Sequence, residues 1–312
     1  MTGVPQASNL GPLLFLIFIN DLSVELVTWK LLLFADDVNL YYVISSNSDS
    51  ELLQAKLSGL QAWSLKNGLP FNPGKCKVIS FSQGVRKFSQ PYILLDNELE
   101  RVAKIRDLGV VLDSSLNFEQ LLRVVVNKCL RLFGFMRNIT PDFTNPYTIT
   151  HLYEMLVLPI LTYCITLWCL KIKIALMELI AIEHKFLRYA SSKTTNPMHY
   201  FDHDYTQIRA LLKIESFRSQ IMKIDFLVAF KIAHKLYRSE EVNNLFVKRT
   251  LKHNLRCYRE FANDKAKPNY LDNSVSFRLR EIWNKLPGEV RNIERLNVFK
   301  RSLGEIIENI EL

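Results

Sequence analysis

Cysteine is scarce and uneven in this chain: Cys76, Cys129, Cys164, Cys169 and Cys257 are all there is in 312 residues. An odd number scattered through apolar or mixed sequence excludes a disulfide framework and reads as buried free thiols of a reduced compartment. A zinc site is not expected either, because Cys164 and Cys169 have no second pair and no Cys/His knuckle closes the chain. His199 and His203, beside Asp202 and Asp204, pose as a metal cluster but read as a solvated loop. Long hydrophobic runs are missing too. Leu13 to Ile19 lacks the basic flank and small-residue cleavage site of a signal peptide. Met155 to Leu170 is uncharged, yet it is shorter than the roughly 20 residues of a membrane span and carries Pro159, so it reads as a buried helix. The expected location is intracellular, nuclear or cytoplasmic, with no secretion and no membrane partner. Repeats and low-complexity tracts are also absent.

What is present is enough apolar sequence, 48%, for a sizeable core and two packed units. The charge of +9 is uneven: residues 1–120 hold 10 Lys/Arg against 12 Asp/Glu (−2), and 121–312 hold 30 against 19 (+11). A basic second half fits nucleic acid lying on it, and equally fits Lys and Arg that only solvate helices. Secondary-structure signals change along the chain in step with the charge. Pro12 to about Val27 predicts a buried helix, and Ser48 with Glu51 a capping box opening a second helix that stops at Lys66-Asn67-Gly68. Strands are expected over Lys77–Phe81, Pro91–Leu95 and Ile105–Leu112. After Asn117 helices are expected at Phe118–Met136, Tyr147–Leu170, Ile172–Ala190, Tyr205–Tyr237 and Phe277–Leu312, with looser sequence around Asn243–Asn273.

Phe34-Ala35-Asp36-Asp37 stands apart from this background. Apolar, strand-forming sequence flanks it on both sides, which predicts a hairpin with two carboxylates at its tip, hard oxygen ligands suited to Mg²⁺. An Asp pair in a turn is by itself more often a solvated loop.

Other segments fall in order around it. Gly3-Val-Pro-Gln6-Ala7-Ser8-Asn-Leu-Gly11-Pro-Leu-Leu-Phe15, followed by Ile19-Asn-Asp21-Leu22, resembles motif B of the reverse transcriptases of non-LTR retrotransposons, closest to jockey-like elements. Phe34–Asp37 then resembles motif C, Trp63 to Lys77 motif D, and Asp107-Leu108-Gly109-Val-Val-Leu-Asp113 motif E, the primer grip. Leu152-Tyr153, Leu156-Val157, Tyr163, Trp168, Ile182-Glu183, Lys185 to Arg188, Trp283-Asn284-Lys-Leu286-Pro287 and Phe299-Lys300 are similar to the segments that follow in the family.

The resemblance implies an α+β fold: a partial polymerase palm over 1–115, an antiparallel sheet with helices, followed by a mostly helical thumb and C-terminal region over 116–312. It implies RNA-directed DNA synthesis by a two-metal mechanism with Mg²⁺. RNA template, DNA primer (an RNA–DNA hybrid) and deoxynucleoside triphosphates would be the partners. Asp36 would be the main metal ligand and Asp37 the accessory one, both catalytic. Lys75, or Lys77, would approach the phosphates. Gln6, Ala7, Ser8 and Phe34 would border the nucleotide, and Leu108-Gly109 would turn tightly beneath the primer. Each has a plainer reading: helix entry for Gln6 and Ser8, a basic strand edge for the lysines, a strand-end turn for Leu108-Gly109. Three departures count against activity. Motif A, with its metal-binding aspartate, and the fingers lie outside the sequence; Ala7 replaces the family's Gly; and Leu158-Pro159 with Thr162 replace charged residues. The chain alone is therefore expected to be inactive. A non-catalytic nucleic-acid-binding remnant, or a relic without function, is the alternative.

Overall fold

The computed structural model describes residues 8–22, 30–82, 90–168, 173–194, 205–247, 261 and 274–310. The chain divides into two compact units, Met1–Leu116 and Asn117–Leu312. Helices and small strand pairs share the first, and the second is helical among the described residues, so the fold is α+β.

In the first unit, α1 (Gly11–Ile19) begins with proline in its first turn, where the missing N–H costs nothing. It is not the buried helix that its composition predicts. Leu13, Leu14, Leu16, Ile17 and Phe18 are exposed, while Phe15, Ile19 and, beyond the helix, Leu22 reach the core. A helix apolar on every side can press one side against its neighbours and must leave the others uncovered. The hairpin β1 (Lys30–Phe34) and β2 (Asp37–Tyr41) follows, paired antiparallel from Lys30–Tyr41 to Phe34–Asp37. Helix α2 (Asn47–Lys66) opens two residues before the expected position: Ser46, not Ser48, is the cap, and Asp49 closes the box by accepting the N–H groups of Ser45 and Ser46. Both serines fit an S-x-x-acid spacing, and Ser46 is the one with extended backbone. Gly68, at φ +62°, ends the helix.

The remaining strands form three further two-stranded ladders in place of one antiparallel sheet. β3 (Lys77–Val78) pairs in parallel with β6 (Glu100–Arg101), β4 (Ile93–Leu94) with β5 (Asn97–Glu98), and β7 (Lys104–Asp107) with β8 (Val110–Asp113). The strand expected over Ile105–Leu112 is thus a hairpin, split by left-handed Leu108 and Gly109. Two apolar clusters meet on α2. Leu60 and Trp63 pack with Ile19, Leu22 and the inward face of the β1–β2 hairpin, while Leu53 packs with Val78, Tyr92, Leu94 and Leu99; Leu57 and Phe71 touch both.

In the second unit, α3 (Glu119–Ile139) and α4 (Pro146–Leu152) pack on α7 (Lys173–Ser191), as does α8 (Tyr205–Leu212). The helix expected over Tyr147–Leu170 is broken. Pro159 lacks an amide proton and crowds the preceding turn, so Tyr153–Val157 widens to a π turn in which Leu158 N–H donates to the Tyr153 carbonyl. Short α5 (Leu158–Thr162) and α6 (Ile165–Trp168) follow, separated by left-handed Cys164, and Met155, Leu156, Tyr163 and Leu167 are exposed rather than buried. The stretch Tyr205–Tyr237 is likewise two helices, α8 and α9 (Phe217–Ala233), divided at left-handed Lys213 and restarted by the Ser216 cap. Pro287-Gly288 divides Phe277–Leu312 into α11 (Val275–Lys285), α12 (Gly288–Arg291) and α13 (Leu296–Ile310), α10 (Glu240–Asn243) preceding them. Phe226, Phe230, Trp283, Phe299 and Leu303 form the main core of α9, α11 and α13.

Buried charges tie this unit together. The Glu183 carboxylate is 1% exposed. It accepts from Arg209 Nε at 3.2 Å and Nη2 at 2.8 Å and from the Phe217 N–H at 3.0 Å, joining α7, α8 and the start of α9. Beside it His184 stacks on Tyr205 with ring centroids 3.4 Å apart. Burial, helped by Arg209 and Arg188, pushes the His184 pKa down to about 4. Arg278 pairs with buried Asp225 and donates to the Thr166 carbonyl, linking α6, α9 and α11.

Candidate active site

The Asp36–Asp37 tip is exposed. Its two carboxylates occupy different backbone positions. Ala35 and Asp36 make the two-residue turn, Ala35 left-handed at φ +51°, while Asp37 is already the first residue of β2, opposite Phe34. Left-handed backbone strains an alanine, which holds the turn only because five residue pairs of the ladder and the cluster beneath constrain it. The inward side chains Leu31, Leu33, Val38 and Leu40 anchor the hairpin on α1 and α2, so the tip is carried by a braced element.

A hydrogen bond joins this hairpin to the next. Asn39 Nδ2 on β2 donates to Asp107 Oδ1 at 3.2 Å. Asp107 ends β7 immediately before the Leu108-Gly109 turn, whose φ values of +45° and +86° are both positive, the pattern of a type I′ hairpin. The carboxylate hairpin and the glycine turn are therefore neighbours in the first unit. The sequence places Asp107 in the motif E segment without a role and does not mark Asn39, since neither spacing nor composition signals a bond between residues 68 apart.

The other expected residues fare unequally. Lys75 is exposed in the turn before β3, whereas Lys77 forms an ion pair with Glu100 across the parallel ladder. Ser8 Oγ accepts the Gly11 N–H at 2.9 Å, which is the plain helix-entry chemistry. Phe34 is 63% exposed. Gln6 and Ala7 lie outside the described residues, as do His199, Asp202, His203 and Asp204. Asp21, from the motif B segment, accepts from Trp63 Nε1 at 3.2 Å and so serves the core.

Two exposed carboxylates are hard oxygen donors of the kind a cation such as Mg²⁺ takes, and two are fewer than a full ligand set. Among the described residues no three His, Cys, Asp or Glu side chains gather in one place. No helix among them is long and apolar enough to cross a membrane.

Residues 1–112 match the family described as reverse transcriptase (RNA-dependent DNA polymerase). Over 205 residues, 61% of this chain and 22% of the relative, the chain is 26% identical to the "RNA-directed DNA polymerase from mobile element jockey" of Drosophila funebris. Over 202 residues, 60% of this chain and 22% of the relative, it is 29% identical to the "Probable RNA-directed DNA polymerase from transposon BS" of Drosophila melanogaster. The chain thus spans 22% of the length of each of these relatives. No solved structure matches. In its first 112 residues the chain carries the reverse-transcriptase pattern, and it is similar to the RNA-directed DNA polymerases named for mobile element jockey and transposon BS.

Proposed function

We propose that the chain is the motif B to motif E part and following helical region of an RNA-directed DNA polymerase. The first unit would be its palm and the second its thumb and tail. The observation that carries this reading is the braced Asp36–Asp37 hairpin bonded through Asn39 and Asp107 to the Leu108-Gly109 turn, since metal-bound triphosphate and primer end must meet within one site. Asp36 and Asp37 would hold Mg²⁺, the ion that activates the primer hydroxyl and steadies the triphosphate when bound. Phe34 and Ser8, with Gln6 and Ala7, would border the nucleotide, Lys75 would face its phosphates, and Leu108-Gly109 would bring main chain under the primer. Lys77 is the weaker phosphate candidate, because Glu100 already neutralises it.

Mn²⁺ binding followed by electron paramagnetic resonance tests the metal assignment: weak binding by the full chain should vanish in Asp36→Asn. Equal binding by both proteins would overturn it. Two carboxylates are fewer than a two-metal centre requires. Purified 1–312 should therefore show no Mg²⁺-dependent primer extension above the Asp36→Asn control, and extension above that level would refute the half-site reading.

A non-catalytic grip on an RNA–DNA hybrid is the second reading, and α3 favours it. Its inward face buries Leu121, Leu122, Val125, Cys129 and Met136, while Arg123, Lys128, Arg131 and Arg137 are exposed; Glu119 is its one acid. Such a face suits a phosphate backbone. Replacing Arg123, Lys128 and Arg131 by Gln should lower the slope of log affinity against log salt by about one per lost phosphate contact. An unchanged slope in the triple variant would remove α3 from the interface.

A further inference from the structure

We propose that Gln54 and Gln61 are positioning residues that lock the register of the strands leading to Lys77 and to the Leu108-Gly109 turn against the helix backing the Asp36–Asp37 hairpin. The importance of those strands rests on the polymerase reading above; the clamp itself rests on geometry.

Helix α2 stands between the two apolar clusters of the first unit, and Leu57 and Phe71 belong to both. Apolar contacts hold segments close without fixing which residue faces which. The ladders here need such fixing, because β3–β6 and β4–β5 contain two residue pairs each, and a slip by one residue would turn every side chain to the other face. Directional bonds supply what hydrophobic contact does not. Gln54 Nε2 donates to the Ile93 carbonyl at 2.9 Å, and its Oε1 accepts the Ile93 N–H at 2.9 Å, so the side-chain amide pairs with both backbone groups of one residue as a neighbouring strand would. Seven residues along the same helix, Gln61 Oε1 accepts the Leu95 N–H at 2.8 Å. Ile93 and Leu95 are two apart and present their amides on one edge, leaving Leu94 between them buried in the cluster.

The register so fixed is handed on within a few residues. Leu99 N–H donates to the Tyr92 carbonyl at 2.8 Å, Glu100–Arg101 pairs with Lys77–Val78, and Val102 N–H donates to the Val78 carbonyl at 2.8 Å. The chain then enters β7, whose last residue precedes the Leu108-Gly109 turn. Two half-buried glutamines on a helix would ordinarily be solvated. Here three bonds spanning 34 to 39 residues make them the polar link between the two clusters.

The two amides differ chemically, and this makes the proposal testable. Gln54 uses donor and acceptor, whereas Gln61 uses its acceptor alone, which a glutamate retains. Residue-resolved amide hydrogen exchange on the full chain is the measurement. Gln61→Leu should speed exchange at Leu95 about tenfold, the loss expected for one or two hydrogen bonds, and Gln61→Glu should leave it unchanged. Gln54→Leu should do the same at Ile93. Both leucine variants should also speed exchange at Val102, while Leu32 and Asn39, a hydrogen-bonded pair of the β1–β2 hairpin, keep wild-type rates. Faster exchange at Ile93 and Leu95 with Val102 unchanged would reduce the amides to local bonds and overturn the positioning role. Gln61→Glu behaving like Gln61→Leu would overturn it too. Exchange does not depend on metal or hybrid binding, so failure of the polymerase reading would show in those assays and leave this result intact.

Discussion

The two units of this chain spend their residues differently. The first carries the chemical motifs on short ladders, leaves five large side chains of α1 exposed and puts Asp36 and Asp37 in water. The second carries few recognisable motif residues, yet encloses a core of Phe226, Phe230, Trp283 and Phe299 and seals Glu183 and Asp225 inside with arginine partners. The motif aspartates of the first unit stand exposed at a hairpin tip, whereas the family-like residues of the second are placed for packing. Tyr153 packs at a tilt on Phe186 with ring centroids 5.1 Å apart, Glu183 caps and braces helices, Trp168 Nε1 donates to the Tyr163 carbonyl, and Trp283 packs against the Phe230–Phe299 pair. Similar sequence in the two units therefore answers to different constraints.

That contrast can be broken or sharpened by substitution. The largest effect is expected in the second unit, where Trp283→Ala should cost about 3–5 kcal/mol, read as a lowered urea midpoint of its transition. Asp36→Asn in the first unit should stay within about 0.5 kcal/mol, since the carboxylate is exposed. Equal costs would erase the distinction. Glu183→Ala should follow closely, at about 3–5 kcal/mol, because it strands the Arg209 guanidinium and the Phe217 N–H; a double-mutant cycle with Arg209→Ala measures how much of this is the pair.

An intermediate effect concerns pH. The folded pKa of His184, about 4, is below its ordinary value of 6.5, so the unfolded chain binds more protons between these limits and stability falls as pH drops from about 6.5 to about 4. The ring is only half enclosed, so the loss, after solvent screening, is on the order of 1–2 kcal/mol. Thermal melting of His184→Gln should lack that part of the pH dependence. The smallest effect has the opposite sign. Ala35→Gly removes a left-handed strain and should stabilise the hairpin by roughly 0.5–1 kcal/mol, seen as slower amide exchange at Leu32 and Asn39, a hydrogen-bonded pair of the ladder.

Sequence alone determined the elements that local chemistry dictates. The Phe34–Asp37 hairpin, the stop at Asn67-Gly68, helices near 119–139 and 173–191, and the reverse-transcriptase resemblance were all legible from alternation, capping residues, helical periodicity and motif order. Tertiary structure decided the rest, because the outcome depended on residues far apart or on competition between similar signals. Ser46 prevailed over Ser48 as a cap through its own backbone angle, and Pro159 turned one expected helix into a π turn and two short pieces. Composition made α1 look buried, although burial depends on what packs around it. The Asn39–Asp107 bond, the Gln54 and Gln61 clamps and the Glu183–Arg209 pair all join residues that no local pattern relates. A hydrogen bond between distant residues leaves no periodicity in the sequence, since its geometry exists only once the chain has folded.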